Sequence, residues 1–397
     1  MKSNPYCVLL IVLALVLGAP ASACSDFLLK TDNPKEVVSG RTIDFYYLDA
    51  MNPAFMVEGR GTQWTSVAAL DPDTPGLSWK NTYGFVGIKT TLAETLGFPD
   101  PATPYYLDTL NEEGLSAAFL HNVGSTFPHT VANPKKGLLY LDLPAYIAGN
   151  FKTVDEAKRG IQDLEIWCPR ELDGIYPTHL IVHDAQKKSM VVEWEKGPSG
   201  EPVMNIYDGE IVDSVNGVMT NDPGYPVQLA HLGIYTKNVT VENYFSGIPG
   251  SILTHHRFVR LALYNENNAP INLGPDTGMG TVSQAFSLLS TVEIVSGTQY
   301  LSVPVNGTPQ QFPDYTLISL VRDQGDRAYY YKTAANQNLG KIDLKKLDFT
   351  SGKYREISII RSPPEIPLYT DVTGDLQADP VSLKNPLFNL LPAGGLK

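Results

Sequence analysis

The strands of this chain come in pairs joined by short turns, and that order limits its fold more than any other feature. THLIVHD (178–184) runs through AQKK into SMVVEWE (189–195), and YTLISLVRD (315–323) runs through QGD into RAYYYKT (327–333). Turns this short permit only antiparallel neighbours. A further hairpin opens at Cys24, turns at Asp32-Asn33-Pro34 and returns through EVVSGRTIDF (36–45). Strand patterns also cover TYGFVGIKTT (82–91) and NEEGLSAAFLH (111–121), and another strand ends at GVMTNDP (217–223). Helical patterns cover 140–164, where Thr153 and Glu156 form a capping box, and 252–267. Helices thus fall between groups of strands, without the regular alternation that builds a parallel sheet. The expectation is an α+β fold of layered antiparallel sheets in one large domain. The 33 glycines, 30 prolines and 21 tyrosines suit strands joined by many turns. No Gly/Ser linker divides the chain, and the proline-rich tail, residues 362–397, is expected to wrap the surface.

The N-terminus reads as a targeting segment. Lys2 gives a basic start, Val8 to Leu17 form an apolar stretch, and Ala21-Ser22-Ala23 fits cleavage after Ala23. Residues 1–23 are therefore expected to be removed, leaving an exported chain that begins at Cys24. The apolar stretch is too short to span a bilayer comfortably, and no other segment approaches it. A formal charge of −12 without a basic run argues against nucleic acid and anionic membranes as partners. Cleavage would leave Cys24 and Cys168, two of the three cysteines, which is no disulfide scaffold. Two alternatives to chemistry at Cys24 stand beside it: a lipid anchor on that residue, or a Cys24–Cys168 disulfide, in an exported binding protein.

No phosphate loop, GxGxxG, HExxH or GxSxG pattern occurs, and the cysteines are too few for a CxxC-type zinc site. No cofactor or metal is expected. His179 and His183 lie four apart on a strand, and His255-His256 lie on a helix with no acidic partner at ligand spacing, so packing roles are expected for all four.

An N-terminal cysteine carries an amine and a thiol together. The α-amine, with a reference pKa of about 8, can take the thiol proton without a histidine. Arg41 and Asp44 lie on the returning arm of the hairpin that Cys24 opens, which folds them back beside it. A guanidinium there favours thiolate, and a carboxylate orients the amine.

Cys-Ser-Asp-Phe at 24–27, Gly-Arg-Thr-Ile-Asp-Phe at 40–45 and Met-Thr-Asn-Asp-Pro at 219–223 resemble the choloylglycine hydrolase family of bile salt hydrolases and penicillin V acylases. Asn111 to Leu115, Arg257 to Arg260 and the tyrosine hairpin at 329–333 follow in the family's order. The resemblance implies an N-terminal nucleophile hydrolase domain over 24–361: a four-layer αββα sandwich that cleaves linear, non-peptide amides. It implies Cys24 as nucleophile and base, Arg41 and Asp44 as its support, Asn221 in the oxyanion hole and Arg257 near the nucleophile. A second oxyanion position falls at His121, or at Asn122 with a one-residue slip. Tyr46 and Tyr47 would offer aromatic walls to an apolar acyl group, or else pack in the core. Relatives often form tetramers, so a homo-oligomer is an expectation, with a small-molecule amide as substrate. Asn238-Val-Thr and Asn306-Gly-Thr are glycosylation sequons.

Overall fold

A computed structural model of the chain describes residues 23–45, 53–69, 74–91, 104–170, 173–174, 176–271, 280–305, 308–350, 355–359 and 366–368. In chain order the first strands are β1 (Cys24–Leu28), β2 (Val38–Phe45), β3 (Ala54–Glu58), β4 (Gln63–Val67), β5 (Pro75–Lys80) and β6 (Phe85–Thr90). Then come β7 (Tyr105–Asn111), β8 (Ser116–His121), β9 (Gly137–Leu139), β10 (Glu165–Trp167), β11 (Thr178–His183), β12 (Ser189–Lys196) and β13 (Pro202–Asp208). The last are β14 (Tyr300–Val305), β15 (Thr308–Pro313), β16 (Tyr315–Asp323), β17 (Ala328–Thr333), β18 (Gly340–Asp343) and β19 (Arg355–Ser358).

Two sheets dominate. One runs β1-β2-β16-β17-β18; the other runs β13-β12-β11-β8-β7-β6-β3-β19. Every pairing within them is antiparallel, and the three hairpins read from the sequence form as β1/β2, β11/β12 and β16/β17. The helices Leu143–Asn150 and Val154–Ile161 pack outside the larger sheet, and Thr254–Glu266 and Gly280–Ser290 outside the smaller. Helix, sheet, sheet, helix is the expected four-layer sandwich. Alternation along β16 and β17 serves the two sides: Ile318, Leu320, Tyr329 and Tyr331 join one apolar cluster, while Val321 and Tyr330 join another with the helices.

Where the two sheets face each other, the contact is ionic as well as apolar. Arg322 Nη2 donates to Asp26 Oδ1 at 2.5 Å, and its Nη1 reaches Asp108 Oδ2 at 3.2 Å. Arg41 Nη1 lies 3.0 Å from the same Asp108 oxygen and 2.5 Å from Leu107 O, while Nη2 donates to Phe119 O. Tyr329 Oη donates to Asp108 Oδ1 at 2.7 Å, and His183 Nε2 lies 3.1 Å from Asp26 Oδ1. Asp26, Arg41, Tyr329 and Arg322 come from the smaller sheet; Asp108 and His183 come from the larger. Burial alone would raise the Asp26 carboxyl, but Arg322 and His183 together carry it below the ordinary carboxylate range.

The helical stretch 140–164 forms two helices, the second starting at Thr153 as expected: a 3-10 turn and helix end at Asn150, Thr153 caps Val154–Ile161, and Glu165–Trp167 beyond it is a strand. Two expectations change in detail. The capping box is half formed, because Glu156 Oε2 accepts from Lys152 N rather than from Thr153. The strand expected to end at 217–223 is a single bridge, Met219 to Asp26, after which the backbone turns to bond with side chains. Residues 1–22 and most of the tail lie outside the described residues; at 366–368, Ile366 O and Pro367 O accept from Asn336 and Asn338. Helices at Tyr225–Tyr235 and Gly280–Ser290 had no strong signal in the sequence.

Arg322→Met should lower unfolding free energy by about 3–5 kcal/mol, since removing one member of a buried ion pair strands the other. Urea denaturation measures it. A loss below about 1 kcal/mol would mean that the buried chain contributes no more than a surface pair.

Candidate functional site

Cys24 is the first residue of β1, only 5% exposed, with its backbone beside Ile43 of β2. Successive residues of a strand face opposite ways, and this decides which neighbours reach it. Arg41 points between the sheets. Asp44 points to the helix side, with Arg257 Nη1 3.8 Å from its Oδ2. The two residues therefore make no pair with each other: Arg41 pairs with Asp108 and Asp44 with Arg257. Both still act on the thiol. Burial pushes the Cys24 thiol above its ordinary value; Arg41 pulls it down, Asp44 pushes it up, and the Asp44 backbone N–H and Arg257 pull it down. The net direction is upward, so desolvation outweighs the thiolate stabilisation expected from Arg41.

Arg257, on the helix Thr254–Glu266, is the hub of the site. It is fully buried. Nη1 donates to Cys24 O at 2.7 Å and to Ser25 Oγ at 2.6 Å, Nη2 to Asn221 Oδ1 at 2.9 Å, and Nε to Ile252 O at 3.0 Å. Asn221 Oδ1 also accepts from Cys24 N at 2.5 Å. One Nδ2 hydrogen of Asn221 goes to His121 O at 2.9 Å. Cys24 thus forms one hydrogen-bonded group with Asn221 and Arg257, which lie 197 and 233 positions from it in sequence.

The placement of Asn221 has a traceable cause. The bridge between Asp26 and Met219, with N–O distances of 2.8 and 2.9 Å, lays the chain along β1 two residues before it. His179 Nε2 then meets Thr220 O at 2.7 Å, and its Nδ1 meets Glu193 Oε1 at 2.8 Å. Gln228 Nε2 donates to Asn221 O and Pro223 O, both at 2.6 Å. His179 and Gln228 therefore hold the site together. The sequence marks His179 only as a strand histidine and does not mark Gln228 at all.

His121 contributes its carbonyl to Asn221, while its ring packs edge-on to Tyr176, 5.7 Å between centroids. Burial and neighbouring His179 hold that ring at a pKa of about 4, so it is neutral at pH 7. Asn122 Oδ1 accepts from Gly124 N at 3.0 Å within its own turn. Tyr46 and Tyr47 lie outside the described residues. Among the described residues no disulfide joins Cys24 to Cys168, and the two are buried in separate apolar clusters.

Two buried carboxyls flank the junction before Cys24. Asp314 accepts from the Ala23 backbone; burial and then the charge of Asp44 raise it to about 7. Burial raises Asp44 to about 6 against the pull of Arg257 and the hydroxyls of Thr316 and Thr42. Such a carboxyl stabilises the fold fully below its unfolded value of about 4, and that contribution is lost as pH rises through about 6.

A family model described as linear amide C–N hydrolases, choloylglycine hydrolase family, matches residues 24–355. The bile salt hydrolase/transferase of Lactiplantibacillus plantarum is 29% identical over 260 residues, covering 61% of this chain and 74% of that protein. The penicillin V acylase of Pectobacterium atrosepticum is 26% identical over 336 residues, covering 77% and 81%. In fold, the chain is similar to the penicillin V acylase of Agrobacterium tumefaciens, with a TM-score of 0.65 at 23% identity over 87% of this chain and 94% of that one. It is also similar to a conjugated bile acid hydrolase of Clostridium perfringens, with a TM-score of 0.63 at 19% identity over 85% and 98%.

Asp44→Asn removes a charge that opposes the thiolate, so Cys24 should react with iodoacetamide at lower pH than in the unsubstituted chain. The same variant should lose the decline in stability between pH 4 and 7 that Asp44 contributes. Alkylation rates and urea midpoints across that range check both; an unmoved alkylation profile would show that Asp44 does not act on the thiol.

Proposed function

This chain belongs to the choloylglycine hydrolase family and is a hydrolase of linear amide C–N bonds; from that premise we propose that Cys24, freed by cleavage after Ala23, is its nucleophile and its own base. The observation that carries the proposal is the bonded group of Cys24, Asn221 and Arg257. The family match, which begins at Cys24, supports it.

In this reading the α-amine of Cys24 takes the thiol proton, and the thiolate attacks the substrate carbonyl. The C–N bond breaks as the ammonium returns its proton to the leaving amine, leaving a thioester. The same amine then deprotonates a water, which attacks the thioester, releases the carboxylic acid and restores the thiol. Asn221 Nδ2 has a second hydrogen beyond the one given to His121 O, available to the developing oxyanion. Arg257 holds Cys24 O and Asn221 Oδ1 at once, so it fixes nucleophile and oxyanion donor relative to each other. Arg41 favours the thiolate, and Asp44 presents its backbone N–H to the sulfur and its carboxyl to Arg257. In the unprocessed chain the Cys24 nitrogen is a peptide amide, so processing supplies the base as well as access to it.

The substrate is an amide that joins an apolar acyl group to a polar amine: a phenoxyacetyl amide such as penicillin V, a conjugated bile acid or an N-acyl homoserine lactone. The chain acts outside the cytoplasm. The burial of Cys24 and Cys168 in separate apolar clusters argues against the disulfide.

With cleavage confirmed by intact mass, Cys24→Ala should lower kcat/KM for amide hydrolysis at least about a thousandfold across a panel of these amides. Retained turnover, or a mature chain that carries a lipid adduct at Cys24, would overturn the proposal.

A further inference from the structure

His255 and His256 occupy the first turn of the helix Thr254–Glu266, and the fold brings His231 of the helix Tyr225–Tyr235 against them. One side-chain nitrogen from each of the three lies within 4.8 Å of the others. The ring centroids of His231 and His255 are 4.5 Å apart, as are those of His255 and His256. All three side chains are half-buried. We propose that His231, His255 and His256 form a binding site for a divalent transition-metal ion, with Zn²⁺ as the best match. The proposal stands independently of the nucleophile assigned to the amide chemistry.

Two observations support ligation over simple packing. His231 Nε2 is buried with no hydrogen-bond partner among the described residues, an orphan that a packing role leaves unexplained. His256 Nδ1 lies 2.6 Å from Ser251 Oγ, which leaves its Nε2 for the metal and fixes the ring from behind, the usual arrangement of a ligating imidazole.

The geometry is close to what zinc requires. Tetrahedral coordination at about 2.0–2.1 Å places ligand nitrogens roughly 3.3 Å apart, within reach of small rotations of half-buried side chains. Imidazole ligands select zinc, copper or nickel over calcium or magnesium. Asp222, whose charge is felt at His255, offsets part of the cation's charge. The helix N-terminus opposes a cation, but it is a small effect beside three metal–nitrogen bonds.

The position gives the site a consequence. The helix holding His231 begins just after Asn221-Asp222-Pro223, and His256 immediately precedes Arg257. Thr254 also bonds to this loop, accepting from Thr220 Oγ1 at 3.1 Å and donating to Asp222 O. A metal across the two helices clamps the elements that carry Asn221 and Arg257.

The test uses tag-free, chelator-stripped full chain, alone and as Cys24→Ser so that the thiol does not contribute, titrated with ZnCl₂ by calorimetry and thermal unfolding. One equivalent should bind in both backgrounds and raise the melting temperature. His231→Asn and His255→Gln should each weaken binding at least about tenfold, and Ser251→Ala should weaken it without changing the stoichiometry. In the unsubstituted chain, saturating Zn²⁺ should protect these rings from diethylpyrocarbonate, a readout that needs no variant to fold. Absence of a bound equivalent, undiminished affinity in both histidine variants, or unprotected rings would each overturn the site.

Discussion

The two sheets of this molecule are joined by charge, and much else depends on how that charge is neutralised. Asp26, Arg322, Asp108 and Arg41 alternate in sign through a region closed to water. A guanidinium in such a region needs partners close to it. Arg41 has two backbone carbonyls of the opposite sheet and the Asp108 carboxylate on its two terminal nitrogens, while its Nε has no hydrogen-bond partner among the described residues. These contacts fix the sheets in register as well as in distance, because an apolar interface could slide and a directed hydrogen bond cannot. Cys24 lies at the end of the strand that carries Asp26, so its position relative to the larger sheet follows from the ionic chain.

The candidate site stands at the edge of this arrangement, where regular hydrogen bonding runs out. β1 has β2 on one side; on the other, among the described residues, it has the bridge to Met219 and one further backbone bond, from Leu28 N to Asn216 O. Backbone groups there take side chains as partners instead: Arg257 for Cys24 O, Asn221 for Cys24 N, His179 for Thr220 O and Gln228 for Asn221 O. The same shortage of backbone partners that ends the sheet thus gathers the polar side chains. Arg257 stabilises the group because one rigid fork contacts Cys24, Ser25, Asn221 and Ile252, from three separate segments.

The hairpins and the fold class were legible in the sequence because short turns and alternation are local. The helices Tyr225–Tyr235 and Gly280–Ser290 were not, since neither has the clear apolar stripe that separates a helix from a loop. The roles of Arg41 and Asp44 were half legible. Their spacing placed them beside Cys24, but three residues along a strand turn the side chains to opposite faces, so each found a different partner. His179 looked ordinary because the carbonyl it holds belongs to a segment 41 residues away.

The sequence alone determined an antiparallel sandwich, a cysteine behind an export-like leader, and the ordered motifs that mark the family. These are matters of residue order, and order is all that a turn, a cleavage rule or a motif requires. Tertiary structure decided which charges meet, the upward shift of the buried thiol, the union of Cys24 with Asn221 and Arg257, and the approach of His231 to His255 and His256. Each depends on burial and on contacts between distant segments, and neither desolvation nor a hydrogen bond across some two hundred residues leaves a local trace in the chain.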